Sequence, residues 1–95
     1  MRLGLAVVTL SLVLCFQREE AFLTLHFFDV GQGDSVLIQE PGGSNVLYDA
    51  GESPEVILGH LARLGIDSLS LVVASHNHLD HIGGLPAVIR RFNPR

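Results

Sequence analysis

A cluster of histidine and aspartate side chains stands out in the second half of the sequence. Residues 76–81 read HNHLDH, which places three histidines and one aspartate directly after a run of apolar residues. Imidazole and carboxylate groups are ligands for borderline cations such as zinc, and a loop at a strand end can turn several of them toward one point. Three histidines in six residues therefore predict a metal site rather than scattered surface histidines.

The spacing within this cluster divides the potential ligands into two groups. His76 and His78 are two residues apart, so in an extended segment their side chains project to the same side and can share one ion. Asp80 and His81 follow where the chain turns, and they can address a second ion. The glycine pair at residues 83–84 lets the backbone pass close to such a site.

The amino-acid composition excludes several other kinds of functional site. The chain of 95 residues contains no lysine, which excludes a Walker phosphate loop, a Schiff-base enzyme and a lysine general base within these residues. The single cysteine, Cys15, excludes an intrachain disulfide and any zinc site built on cysteine pairs. The isolated histidines, His26 and His60, are expected to be ordinary surface or hydrogen-bonded residues.

Short strands and helices must position the cluster. Period-two alternation, apolar runs and turn residues predict four strands, over residues 22–29, 36–39, 45–49 and 69–74. The first three are expected to form an antiparallel meander, and the fourth, a continuous apolar run, is typical of a buried strand. A helix is predicted to begin at Pro54 with Ser53 as its N-cap and to end before Gly65, and a second over about residues 86–91.

The amino end has the pattern of a leader. Residues 3–16 are an apolar run of 14 behind Met1 and Arg2, and the polar stretch QREE follows. The run is shorter than the roughly 20 residues that span a bilayer and fits a secretory signal peptide. We therefore expect residues 1–21 to be a signal peptide or membrane leader, and the protein to be periplasmic, extracellular or membrane-anchored. The alternatives are an uncleaved anchor, a lipoprotein signal ending at Cys15, and a buried first strand or helix.

The segment at residues 76–81 resembles the HxHxDH signature of the metallo-β-lactamase superfamily. Two further motifs, FDVGQGDS at residues 28–35 and VLYDAG at residues 46–51, resemble the ComEC-like, competence-related branch of its metallohydrolases. The resemblance implies an α+β fold, with residues 22–95 forming the amino-terminal half of an αββα sandwich. Such a half would leave apolar faces and strand edges uncovered.

The resemblance also implies a role for each matching ligand. His76 and His78 would be two of the three histidines of a first metal site, while Asp80 and His81 would belong to a second. The metal would be zinc, with two ions in the complete domain, or alternatively manganese. Asp80 would also orient or deprotonate the metal-bound water, which makes it the expected catalytic residue.

Two further aspartates belong to the motifs that carry the resemblance. Asp49 would be a residue that supports the metal ligands from behind. Asp34 lies in the branch motif and is expected near the site in the same supporting position. Glycine, aspartate and serine at residues 31–35 are also ordinary turn chemistry, so a simple hairpin turn remains the alternative for Asp34.

These observations predict a metal-dependent hydrolase, by resemblance a phosphodiesterase or nuclease-like enzyme in the complete protein. The net charge of −4 provides no electrostatic groove for nucleic acid, although Arg90, Arg91 and Arg95 cluster at the carboxyl end. The alternatives are a hydrolase of a lactam, thioester or small ester, and a non-catalytic metal-binding module or inactive fragment. The remaining metal ligands would come from beyond Arg95.

Overall fold

The computed structural model describes residues 22–94. The strands are β1 (Thr24–Phe27), β2 (Val36–Gln39), β3 (Asn45–Tyr48) and β4 (Leu71–Val73). The helices are α1 (Pro54–Arg63), α2 (Leu79–Ile82) and α3 (Leu85–Phe92). The predicted leader, residues 1–21, lies outside the described residues, and no helix within them is long and apolar enough to cross a membrane. The predicted α+β class is confirmed.

The four strands form one sheet in the order β1-β2-β3-β4. β1, β2 and β3 are antiparallel neighbours, as the meander prediction required. β4 pairs parallel with β3, because α1 carries the chain back to the starting end of the sheet between them. The carboxyl ends of β1, β3 and β4 and the amino end of β2 therefore lie at one end, which we call the site end.

Three loops meet at the site end. The first loop (residues 28–35) joins β1 to β2, and the second loop (residues 49–53) joins β3 to α1. The third loop (residues 74–84) joins β4 to α3 and contains the single turn of α2. All the predicted site residues fall in these three loops.

Both longer helices follow from local sequence signals. Ser53 caps α1 by accepting a hydrogen bond from the backbone N–H of Val56 at 3.4 Å, and Pro54 occupies its first turn. Gly65, at φ +67°, ends α1 in the left-handed region that glycine favours.

The helices α1 and α3 cover one face of the sheet. The core between them is formed by Leu37, Leu47, Ala50, Ile57, Leu61, Ile66, Leu69, Leu85 and Val88.

The other face of the sheet is apolar and largely exposed. Strand register places eight apolar or aromatic side chains there, in two rows: Leu25, Ile38, Val46 and Leu71, then Phe27, Val36, Tyr48 and Val73. Phe27 is 77% exposed and Leu71 48%. The prediction that the apolar run at residues 69–74 is a buried strand is therefore wrong on burial. The strand forms, but among the described residues only the helix-covered face is sealed.

A row of side-chain hydrogen bonds runs across the far end of the sheet, opposite the site end. His26 Nε2 lies 2.7 Å from Gln39 Oε1, and Gln39 Nε2 donates to Asn45 Oδ1 at 3.1 Å. Asn45 Nδ2 donates in turn to the carbonyl of Ser68 at 3.1 Å. We call His26, Gln39, Asn45 and Ser68 the polar ladder, and it ties three strands to the segment that precedes β4.

Candidate metal centre

The third loop presents the histidine cluster as the sequence predicts. His78 has extended backbone angles, φ −121° and ψ 142°, and stands as the N-cap of α2. Asp80 and His81 lie in the helical turn that follows. The expected change of chain direction after His78 is therefore present, and it brings later side chains back toward earlier ones.

The three imidazole rings lie together. The ring centroids of His76 and His78 are 4.7 Å apart, and those of His76 and His81 are 4.1 Å apart. Asp80 Oδ2 lies 3.8 Å from His81 Nε2. The structure thus brings all four predicted ligand residues into one cluster.

Asp49 is the hydrogen-bonding centre behind this cluster. Its carboxylate is buried, with 1% exposure. Its Oδ1 accepts from the backbone N–H of Ser75 at 2.7 Å, and its Oδ2 accepts from the Ser75 hydroxyl. Oδ2 also lies 2.8 Å from His81 Nδ1. These contacts join the second loop to both ends of the histidine cluster, and the role of Asp49 behind metal ligands stays a prediction.

Ser75 is a participant that the sequence did not reveal. Besides its two hydrogen bonds to Asp49, its hydroxyl lies 2.8 Å from His76 Nδ1. One serine therefore links the buried carboxylate to the first histidine. Its only sequence signal is its place between the end of β4 and His76. A polar residue after a strand can simply face solvent, so this position does not by itself indicate a role at the site.

Burial, hydrogen bonds and nearby charges shift two pKa values in the cluster. Burial by itself raises the pKa of Asp49, but hydrogen bonds from the Ser75 side chain and backbone and from His81 outweigh it and hold the pKa below its ordinary value. The hydrogen bond to Asp49 raises the pKa of His81 against the opposing effect of burial, and the nearby carboxylates of Asp80, Asp49 and Asp34 add to the rise. Both shifts therefore favour the charged forms of the Asp49–His81 pair.

Asp34 approaches the cluster from the first loop. Its Oδ2 lies 3.8 Å from His81 Nδ1, and its side chain is 73% exposed. The turn expected here is also present, since Asp29 Oδ1 accepts a hydrogen bond from the backbone N–H of Gly31 at 3.1 Å. The two interpretations of this motif are thus compatible, because a turn in the first loop carries a carboxylate to the edge of the cluster.

The donor types fit a borderline cation, since the cluster combines three imidazoles with a carboxylate. Two of the imidazoles are held through Nδ1, His76 by Ser75 and His81 by Asp49, so both keep Nε2 for a ligand bond. Within residues 22–94, however, no group of three histidine, cysteine, aspartate or glutamate side chains is arranged to hold one metal ion.

The two histidines outside the cluster have ordinary partners. His26 belongs to the polar ladder, and His60 Nε2 donates to the backbone carbonyl of Asp29 at 2.7 Å. The ring of Phe28 stacks on His60, with 4.8 Å between centroids. Both histidines are thus hydrogen-bonded, as one of the two expectations for them required.

Comparisons with known proteins find relatives that match part of this chain. The chain is similar to a hydroxyacylglutathione hydrolase of Chromohalobacter salexigens, with 37% identity over 60 residues that cover 63% of this chain and 23% of that protein. It is also similar to a 7,8-dihydropterin-6-methyl-4-(beta-D-ribofuranosyl)-aminobenzene-5'-phosphate synthase of Methanocaldococcus jannaschii, with 36% identity over 50 residues, 50% of this chain and 17% of that protein. The chain therefore spans less than a quarter of the length of either relative.

The family match covers β2, β3 and β4, both longer helices and every predicted site residue. The model of the metallo-beta-lactamase superfamily matches residues 28–95. A four-stranded sheet with helices on one face is consistent with part of that fold. Because the match spans more than half of the sequence and includes the histidine cluster with its supporting aspartate, this chain belongs to the metallo-beta-lactamase superfamily.

Proposed function

We propose that the full-length protein containing this chain is a metal-dependent hydrolase, with residues 76–81 as its metal loop. The observation that carries the proposal is the clustering of the three imidazoles with one another beside Asp49, whose hydrogen bonds hold both His81 and the serine next to His76. A family match over residues 28–95 and a relative named as a hydrolase support the reaction class.

The proposed ligands are those of the metal loop. His76 and His78 would hold one ion, Asp80 and His81 a second, and zinc is the metal we propose, with manganese as the alternative. A bound metal would supply a Lewis acid and a water of lowered pKa. Further ligands would come from the rest of the domain, because a catalytic zinc takes three protein ligands and the first pair supplies two.

The chain's own residues prepare the histidines for this role. Asp49 accepts from His81 Nδ1 and so sets the tautomer and orientation that leave Nε2 available. Ser75 holds His76 Nδ1 in the same manner. Asp80 is 29% exposed, so its carboxylate remains open to water and can orient a nucleophile at the cluster.

The substrate proposed first is a phosphodiester, and the support for it is the VGQGDS motif at residues 30–35, which resembles the ComEC-like branch. Arg90 and Arg91 lie in the last turn of α3 and are exposed, which provides some positive charge in an otherwise acidic chain. Nucleic acid is one such phosphodiester.

A second candidate is a hydrolase of a thioester or other small ester, and the hydroxyacylglutathione hydrolase among the relatives favours it. The net charge of −4 points the same way, because a nuclease gains affinity from neutralising phosphates. A non-catalytic metal-binding module is the third candidate, and it differs from the other two by the absence of turnover.

One substrate panel separates these candidates. The full-length protein is assayed with zinc and with manganese on a phosphodiester reporter, a lactam and a thioester. On the best substrate, Asp80→Asn is expected to lower kcat by roughly 10² to 10⁴-fold, because it keeps the side-chain shape but removes the charge and basicity that orient water. Asp67→Asn, an exposed carboxylate before β4 at the other end of the sheet, is the matched control and is expected to retain wild-type turnover.

The outcomes discriminate clearly. If the Asp80→Asn variant keeps its full metal content and its turnover, the Asp80 carboxylate does not orient the attacking water. Bound metal without turnover on any substrate would favour the binding module.

We also propose that residues 1–21 direct export, supported by their charge and apolar length. Fusion of this segment to a reporter that matures only outside the cytoplasm tests the proposal, with Leu10→Arg as the control that interrupts the apolar run. A reporter that stays immature with the wild-type segment would favour a buried strand or helix instead.

A further inference from the structure

The first loop touches the metal loop at a point where a side chain has no room. A Cβ built on Gly33 would overlap the backbone carbonyl oxygen of Asp80 and lie 2.6 Å from its carbonyl carbon. Gly33 also has φ +100°, a conformation that L side chains rarely adopt. The backbone of Gly33 therefore lies directly against the backbone of Asp80, the proposed catalytic residue.

The other loop contacts at the site end have the same character. A Cβ on Gly51 of the second loop would lie 2.7 Å from the Cβ of Val30 in the first loop. A Cβ on Gly84 of the third loop would lie 2.7 Å from the carbonyl oxygen of Ala50 in the second. Each loop thus contacts the other two at a glycine. Gly33 and Gly84 lie against backbone, and Gly51 lies against the Val30 side chain.

Hydrogen bonds hold the first loop in a fixed place, so that Gly33 can fix the position of the Asp80 backbone. The backbone N–H of Phe28 donates to the carbonyl of Ser35 at 2.9 Å, closing the base of the loop. The Ser35 hydroxyl donates to the carbonyl of Asp49 at 2.9 Å. The N–H of Gly51 donates to the carbonyl of Asp34 at 3.1 Å. The two residues that follow Gly33 therefore hold the loop against the second loop, and the Phe28–Ser35 hydrogen bond closes the loop behind them.

We propose that Gly33 is a positioning residue for Asp80: its bare backbone sets the place of the Asp80 main chain, and so where the Asp80 carboxylate stands relative to His81. The inference rests on the proposed function, since it gives Asp80 its role at the metal centre. It assigns the second glycine of the VGQGDS motif a task beyond making a turn, because a turn alone needs no contact with the third loop.

Gly31 offers a matched control within the same loop. It has φ +74°, so alanine there meets the same kind of backbone strain as alanine at Gly33. A Cβ on Gly31 meets no atom within 4 Å, however. Comparing Gly33→Ala with Gly31→Ala therefore separates the contact with Asp80 from the cost of a positive φ.

The experiment uses cobalt(II) as the probe, titrated into the metal-free full-length protein and followed by visible absorption. We expect Gly33→Ala to weaken binding of the ion that Asp80 holds by at least about tenfold and to alter the cobalt spectrum. Gly31→Ala is expected to keep the wild-type spectrum and affinity. The same two substitutions are then made in an Asp80→Asn background, where Gly33→Ala is expected to add little further loss, because its effect acts through Asp80.

Each other outcome counts against the inference. Wild-type protein that binds no cobalt would overturn the proposed function and the inference with it. Normal wild-type binding with equal behaviour of the two alanine variants would overturn the inference alone. Additive losses in the Asp80→Asn background would show an effect that bypasses Asp80. Loss of circular dichroism in Gly33→Ala but not in Gly31→Ala would make the contact a requirement of folding rather than of positioning.

Discussion

The two ends of β3 carry buried polar side chains of opposite character. At the far end, the uncharged amide of Asn45 joins the polar ladder, and its hydrogen bonds tie β3 to β2 and to the segment before β4. At the site end, Asp49 is buried as a carboxylate and collects donors from Ser75 and His81. A neutral amide serves to hold strands together, whereas a buried charge orients ionisable side chains and shifts their pKa values.

The largest expected effect concerns metal content. The double variant His76→Ala, His78→Ala of the full-length protein is expected to lose one metal ion per molecule, because both proposed protein ligands of one site are removed. The matched double variant His26→Ala, His60→Ala removes two histidines outside the cluster and is expected to keep its metal. Elemental analysis after dialysis measures the metal content. Equal metal content in the two double variants would show that His76 and His78 are not metal ligands.

The next effect compares the two ends of β3 directly. Asp49→Asn is expected to lower the free energy of unfolding by about 2–3 kcal/mol, because it weakens buried hydrogen bonds to a charged group. It is also expected to weaken metal binding, since His81 loses its orienting partner. Urea unfolding and a cobalt titration measure the two quantities.

The far-end counterpart is Asn45→Ala, which is expected to cost about 1–2 kcal/mol through the loss of its bonds to Gln39 and Ser68. Its metal affinity is expected to stay at the wild-type value in the same cobalt titration. A loss of affinity as large as that of Asp49→Asn would mean that the two ends are not separate in function.

The Asp49–His81 pair also predicts a pH dependence for the metal-free protein. The folded-state pKa of Asp49 lies below its ordinary value of 3.8, so its stabilising contribution is complete above that pH and is lost as the pH falls through the lowered pKa. The pKa of His81 lies above its ordinary value of 6.5, so its contribution is complete below that pH and is lost as the pH rises through the raised pKa. The pair therefore contributes most between pH 3.8 and 6.5.

Urea unfolding across this pH range checks the prediction, with Asp49→Asn as the control. The stability difference between wild type and variant is expected to shrink on both sides of the window. A difference that keeps growing from pH 6.5 to 9 would contradict the assigned directions.

The smallest effect is expected at Asp34, whose carboxylate faces His81 from 3.8 Å but is 73% exposed. Solvent screens such a pair, so Asp34→Asn is expected to leave the unfolding free energy unchanged and to alter the metal Kd by less than about threefold. The cobalt titration used for Asp49→Asn makes the measurement. A tenfold change in Kd would place Asp34 among the direct ligands.

Much of the fold could be predicted because its signals are local. Ser53, Pro54 and Gly65 mark the start and end of α1 by capping chemistry that involves only near neighbours. The burial of β4 could not be predicted, because a continuous apolar run shows that a strand can be covered on both faces but not that it is. Leu71 remains 48% exposed on the face away from the helices.

In the candidate site, too, the local features could be predicted from the sequence, and the long-range contacts could not. The histidine cluster is contiguous in sequence, so its composition alone predicted that its members would meet. The link from Asp49 to Ser75 spans 26 residues and depends on β3 and β4 being parallel neighbours, which no local pattern specifies. The close approach of Gly33 to Asp80 likewise follows from how two loops pack, and a glycine in a turn motif gives no sign of it.

The parallel pairing of β3 and β4 has a consequence for changes in chain length. Asp49 and Ser75 each follow one of two adjacent strands, so the sheet register, not the length of the connection, fixes their distance. Adding residues between Arg63 and Ser70, at the far end, leaves that register intact, whereas one extra residue within β3 or β4 would misalign the carboxylate with the cluster. We therefore expect an insertion beside the exposed Asp67, between the core residues Ile66 and Leu69, to disturb the site less than one within either strand.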